Sequence, residues 1–272
     1  MSVNEKMTAL ADEVRELSGT NNTIGIDDMK TYIEEANAEI ASQVSLLSQA
    51  IDALNGKMIG GGVVYDPSAD YQRVEYINTS DGAYITTDVY ADNNTGVEMI
   101  ASFPSVADHV CMGSRQDSGN TRFYAPYPLS TTSTYFGFNA ATKISATITL
   151  NTPYHWQTNL LNSRLALVCD ISGTNKGSVA ISATLASHSA PIHIFSIARG
   201  DTGAVTSPRK LNLYGARISQ GCDIVRNYIP CYRKSDNEIG LYDTITGQFL
   251  SNAADVGEFT IGPEIEWQGG IL

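Results

Sequence analysis

Ile224-Val-Arg-Asn-Tyr-Ile-Pro-Cys-Tyr-Arg-Lys-Ser-Asp-Asn-Glu-Ile-Gly-Leu-Tyr-Asp243 reads as strand, turn, strand. Ser235, Asp236, Asn237 and Glu238 are turn formers between two apolar runs, and Thr246-Gly-Gln interrupts the chain again before Phe249. Just upstream, Tyr214, Ala216 and Ile218 alternate with Gly215 and Arg217, the period-two pattern of a strand with one buried face. Pro230 has no N–H to give a ladder, so an edge strand or a strand end is predicted there. Successive antiparallel strands are therefore expected along this stretch.

The same pattern reaches back to residue 71. Short apolar or alternating runs fall at 71–77, 83–90, 97–103, 110–113, 122–127, 135–138 and 144–150. Others follow at 154–160, 164–171, 178–185, 192–198, 211–218, 239–242 and 248–250. Turn clusters separate them at 92–96, 117–120, 172–177 and 201–203. More than a dozen short strands with hairpin-type turns predict an antiparallel β-sandwich or jelly roll. No repeat of about 20 to 50 residues is visible, which disfavours a propeller or solenoid. Hydrophobic residues make up 42% of the chain, enough for a core, and only 17% are charged. The 272 residues leave room for one domain of about 200 residues and an appendage.

The appendage has a different period. Asn37, Val44, Ile51 and Met58 fall at a positions of a heptad, and Ile33, Ile40, Leu47 and Leu54 at d. Such a narrow stripe needs copies of itself, unless the helix packs on its own chain. The flanking e and g positions hold Glu34, Ala36, Ala41, Gln43, Ser48, Ala50, Asn55 and Lys57, a charge-poor set that suits three or more strands better than two, with a parallel trimer expected. Asn37 favours a dimer and fixes register. The expected organisation is an N-terminal helix and loop (1–24), a coiled-coil oligomerisation helix (25–59), a glycine-rich linker (60–70), a jelly-roll binding domain (71–262) and a C-terminal tail (263–272). The fold class expected is mainly β, with N-terminal helices and a coiled coil ahead of an antiparallel sandwich.

A net charge of −12 argues against nucleic-acid binding and against polyanionic targets. Residues 1–58 carry ten acids and four bases, so the acidity is densest on the expected helical arm. Cys111, Cys169, Cys222 and Cys231 lack metal-ligand spacing and lie in or beside apolar runs, as buried thiols do; a Cys222–Cys231 bridge stays open. The opening Met-Ser-Val-Asn-Glu-Lys has no apolar run, so no secretion signal is expected. No apolar stretch approaches the roughly 18 to 20 residues of a membrane span.

Two bookends frame the β part. The first is Tyr71-Gln-Arg-Val-Glu-Tyr-Ile-Asn-Thr-Ser-Asp-Gly-Ala-Tyr-Ile-Thr-Thr-Asp. The second combines Leu213-Tyr-Gly-Ala-Arg-Ile, the 224–243 stretch, Thr246-Gly-Gln-Phe and Gly257-Glu-Phe-Thr. Together they resemble the concanavalin-like (laminin-G-like) jelly-roll module of tail and baseplate proteins from phages and prophages of low-GC Gram-positive bacteria. Leu10-Ala-Asp-Glu-Val-Arg-Glu-Leu-Ser-Gly with Ile26-Asp-Asp-Met resembles the helical segment those proteins carry ahead of the module. The resemblance implies a virion tail component made in a bacterial cytoplasm.

The chemistry of an enzyme is sparse. Glu264 and Glu266 form a Glu-x-Glu pair, as a glycosidase could use, but follow the module and read as a solvated tail strand. His109, His155, His188 and His193 are scattered, no Gly-x-Ser-x-Gly elbow occurs, and 60–62 is not a phosphate loop. Catalysis, metal and cofactors are therefore not expected, although the oxygens of Asp88 and 92–94 offer part of a calcium set. Sugar binding needs aromatic faces beside planar polar groups. Arg115, Asp117, Asn120 and Arg122 with Tyr124 and Tyr127 supply both, and are the candidate carbohydrate site. The alternative is that Phe123, Tyr135 and Phe138 are core and Arg115 and Arg122 structural. Trp156 reads as a stacking platform or as core.

The function expected is receptor binding at a phage tail tip or baseplate. A homotrimer would bind host-surface glycan through its jelly rolls and other tail proteins through its N-terminal helices, without inserting into a membrane. A structural connector whose jelly roll holds another tail protein is the alternative, and a glycan-degrading enzyme the third.

Overall fold

The computed structural model describes residues 66–79, 82–106, 110–116, 121–206 and 210–267, together with Asp12. The chain divides after Tyr65, and the second unit, Asp66–Leu272, carries the strands. They begin with β1 (Tyr71–Arg73), β2 (Ile77–Thr79), β3 (Ile85–Tyr90), β4 (Thr95–Ser102), β5 (Met112–Arg115) and β6 (Arg122–Ser130). Then come β7 (Ser133–Ser145), β8 (Tyr154–Thr158), β9 (Leu165–Asp170), β10 (Asn175–Ala180), β11 (Pro191–Ile194) and β12 (Ile197–Arg199). The last are β13 (Val205–Thr206), β14 (Asn212–Gln220), β15 (Asp223–Arg233), β16 (Glu238–Asp243), β17 (Phe249–Ser251) and β18 (Phe259–Ile261).

The larger sheet runs β10-β9-β8-β4-β14-β15-β16-β17, with β1 paired to β15 and β2 lying between β14 and β18. The second runs β13-β12-β5-β11-β3, and β6 pairs with β7 as a long hairpin. One buried row crosses five strands of the larger sheet: Val168, Trp156, Met99, Ala216 and Tyr228 are opposite one another in register and at most 1% exposed. The next row, Leu167, Gln157, Glu98, Arg217 and Asn227, is polar at four of five positions, as alternation across a pleat requires. Ile85, Met112, Ile192 and Ile194 of the second sheet belong to the same hydrophobic cluster, so the core lies between the two sheets.

The fold class needs correction. The described residues between 66 and 267 form strands, turns and two single-turn 3-10 helices (Pro67–Ala69 and Leu160–Asn162), so the described domain is an all-β sandwich without an α-helix. A heptad stripe describes association between chains. It does not set the class of the fold that one chain closes on its own, which period-two alternation decides. The helical arm, the coiled coil and the seam residues Ile33, Asn37, Ile40, Val44, Leu47, Ile51, Leu54 and Met58 lie outside the described residues.

Local expectations shift as well. Pro230 sits inside β15, with β16 on one side. On the other side the partner changes from β14, last opposite Tyr228, to β1, first opposite Cys231. Pro230 therefore stands where no ladder position awaits the N–H it lacks. The run 178–185 leaves the sheet after Ala180, because its backbone donors find other partners: Ile181 N–H bonds Arg164 O, and Leu185 N–H bonds Asn93 Oδ1. Leu185 still reaches the core. Cys111 and Cys231 are buried, Cys169 is half-buried, and Cys222 is exposed in the β14–β15 turn; all four are free thiols. Burial pushes the Cys231 thiol up to about 12.

Gly137 of β7 lies against the Tyr124 ring, and a Cβ there would stand 2.4 Å from Tyr124 Cε1. Gly137→Ala is therefore expected to destabilise the domain by about 1–3 kcal/mol through overpacking. A lowered urea midpoint with an unchanged slope is the readout.

Candidate functional site

β1 has β15 on one side and residues 263–265 on the other. Val74 and Glu264 form a bridge, Glu75 N–H bonds Pro263 O at 2.8 Å, and Ile265 N–H bonds Arg73 O at 3.0 Å. The segment read as a solvated tail strand is thus hydrogen-bonded to β1. Beside it opens a groove of about 540 Å³ lined by Ser68, Gln72, Lys234, Glu264, Ile265, Glu266 and Trp267.

Trp267 is half-buried and held in place. Its Nε1–H donates to Tyr71 O at 3.0 Å, and its ring meets Tyr242 edge-on at 5.9 Å. Tyr71 stacks on Phe249 at 5.2 Å and leans on Tyr242 at 5.1 Å, and the Arg233 guanidinium lies 5.2 Å over the Phe249 ring. The indole is backed by an aromatic cluster and its only N–H is engaged, so it offers the groove an apolar ring.

The polar groups are oriented too. Gln72 Nε2 donates to Arg73 O and Ile265 O, each at 3.0 Å, which leaves Oε1 as the free end of a fixed amide. The Tyr232 hydroxyl donates to Glu264 Oε1 at 2.8 Å, and that bond raises the Tyr232 pKa. Lys234 Nζ donates to Ser68 O at 2.7 Å. An indole ring, a planar amide and two carboxylates thus line one open groove.

The residues singled out from the sequence are placed differently. Arg115 ends β5 and Arg122 opens β6, both half-buried. Tyr124 is 2% exposed, with its ring against Gly137, so it has no face for a sugar. Burial raises its hydroxyl pKa against the opposing pull of Arg122 and Arg115, so these three are neighbours. Tyr127 lies opposite Tyr135 in the β6–β7 hairpin, and Asp117 and Asn120 lie outside the described residues. Phe123 and Phe138 are core, 6.0 Å apart and edge-on. Trp156 is fully buried. The oxygens around Asp88 have structural partners: Asp88 pairs with Arg226, Asp92 Oδ1 accepts from Asn94 N–H and the Thr95 hydroxyl, and Asn93 Oδ1 accepts from Arg164 and Leu185. They do not converge as a calcium set would.

Among the described residues two serine–histidine contacts occur, Ser114 with His188 Nδ1 at 2.7 Å and Ser196 with His193 Nδ1 at 3.2 Å. All four residues are at most 5% exposed, out of reach of a substrate. His193 also contacts the Thr86 hydroxyl and stacks on Tyr84 at 4.9 Å. Burial pushes its pKa down from the ordinary 6.5 to about 4. Between those values the unfolded chain binds a proton that the folded chain refuses, so stability falls as pH drops from about 6.5 to about 4 and is flat in this term below that. The loss amounts to about 3 kcal/mol at most. His155 shifts in the same direction, through burial and then Arg217. Urea midpoints at neutral pH and near pH 4.5 are expected to differ less in His193→Gln than in the parent.

No protein-family model matches the chain, and no curated protein does. Among solved structures, a presumed carbohydrate-binding protein from Bacteroides ovatus aligns with a TM-score of 0.43 and 10% identity, over 72% of this chain. The chain spans 62% of that protein's length. Likeness at this level does not extend to a site or a ligand.

Proposed function

We propose that this chain is a carbohydrate-binding β-sandwich that holds its ligand on Trp267 without catalysis. The observation that carries this reading is the juxtaposition, in one open groove, of the Trp267 ring with the oriented Gln72 amide and the Glu264 and Glu266 carboxylates. Pyranose C–H faces pack on such rings while hydroxyls donate to planar acceptors. The finer setting, a phage or prophage tail tip whose receptor is a host-surface glycan, rests on the bookend resemblance. The homotrimer and the tail partners belong to residues outside those described and are not part of the proposal. The test is a glycan array probed with the full chain and with Trp267→Ala. Glycan binding that disappears in the variant, with an unchanged melting temperature, supports the reading. An array with no bound glycan, or one bound equally by both proteins, overturns it.

A further inference from the structure

The groove's hydrogen-bonding groups are not balanced. Trp267 Nε1–H and both Gln72 amide hydrogens are engaged within the chain, so neither residue has a donor to offer. What remains is mostly acceptor: Gln72 Oε1, the second oxygen of Glu264, and the whole Glu266 carboxylate, which has no partner among the described residues. The opposing cation is Lys234, one of whose hydrogens goes to Ser68 O and which also faces Asp66. Two carboxylates against one ammonium leave the groove net negative, within a chain of net charge −12.

We infer that the groove selects a glycan carrying a free amino group, a de-N-acetylated hexosamine, over its N-acetylated or uronic counterpart. This deepens the proposed function and rests on it. A charged sugar amine donates up to three hydrogens to these open acceptors, and together with Lys234 it balances the two carboxylates. The N-acetyl form replaces that ammonium with a neutral amide, and a uronate places a third carboxylate beside the first two. Ion pairs at exposed carboxylates such as Glu264 and Glu266 are individually modest, so two of them together give a preference of about tenfold. Added salt shrinks it.

The experiment compares a glucosamine oligomer, the matching N-acetylglucosamine oligomer and a uronate oligomer of equal length, at about pH 6 and low salt. Titrations use the full chain, Glu264→Gln/Glu266→Gln and Trp267→Ala. The expected result is about tenfold tighter binding of the glucosamine oligomer, loss of that preference in the double variant, and about thirtyfold weaker binding of every bound oligomer in Trp267→Ala. Trp267-dependent binding in which the N-acetyl or uronate oligomer equals the amine overturns the amine preference and leaves the groove as a sugar site. A preference that survives the double variant also overturns it. Failure of all three oligomers to bind in a Trp267-dependent way overturns both the preference and the groove.

Discussion

Trp156→Ala is expected to destabilise the sandwich by about 3–5 kcal/mol, read as a fall in urea midpoint. Trp156 is 0% exposed and occupies the middle of the buried row that crosses the larger sheet. It meets Phe103 and Tyr154 edge-on at 5.3 and 6.0 Å, and its Nε1–H donates to Ala101 O at 3.1 Å. Truncation removes the ring's transfer energy, leaves a cavity between two sheets that cannot both move inward, and deletes a buried hydrogen bond. Trp156→Phe keeps most of the ring and is expected to lose clearly less. A loss below about 1 kcal/mol for the alanine variant would place Trp156 outside the core.

Trp267→Ala is expected to act in the opposite sense, with a large loss of binding and a small loss of stability. Tryptophan anchors that remain partly open to solvent carry about 2 kcal/mol of binding energy, a factor of about thirty in affinity. Among the described residues, Trp267 is tied to the fold by one hydrogen bond to Tyr71 O and one edge contact with Tyr242. Trp267→Phe preserves a flat apolar face and is expected to keep a substantial part of the affinity. Isothermal titration with a glycan selected from the array checks both variants. Equal losses in Phe and Ala would indicate that stacking is not the source of the affinity.

The two tryptophans illustrate how much the sequence alone reveals. His155, Trp156 and Gln157 form a polar-apolar-polar triplet that suggested either a platform or a core residue. Strand alternation puts the indole on one face and its polar neighbours on the other, and the register places Trp156 in the buried row with Met99 and Val168. The hairpin at 224–243 was legible for the same reason: turn formers at 235–238 separate two runs, and β15 pairs with β16 as read.

Trp267 was harder to place. Gln72 and Ile265 are 193 positions apart, and no periodicity links them. Their contact arises because β1 has a free side once β15 has paired with the other, and residues 263–265 fill it. The Arg115–Tyr127 stretch misled in the converse way. Tyr124 was read as a sugar-stacking ring, yet it sits in the β6–β7 hairpin with its ring against Gly137, its partner across the ladder. The heptad was plain as a pattern, but it speaks of other chains and not of the sandwich.

Tryptophan fluorescence gives the most direct test of the groove, because the chain has two tryptophans and they differ in exposure. Trp156 is sealed in the core and inaccessible to acrylamide, whereas Trp267 borders solvent. Titrating the full chain with a bound glycan should produce a saturable spectral change and protect the quenchable fraction, with neither effect in Trp267→Phe, which keeps only the sealed Trp156. A glycan that binds while the quenching of Trp267 stays unchanged would contradict the assignment of the groove.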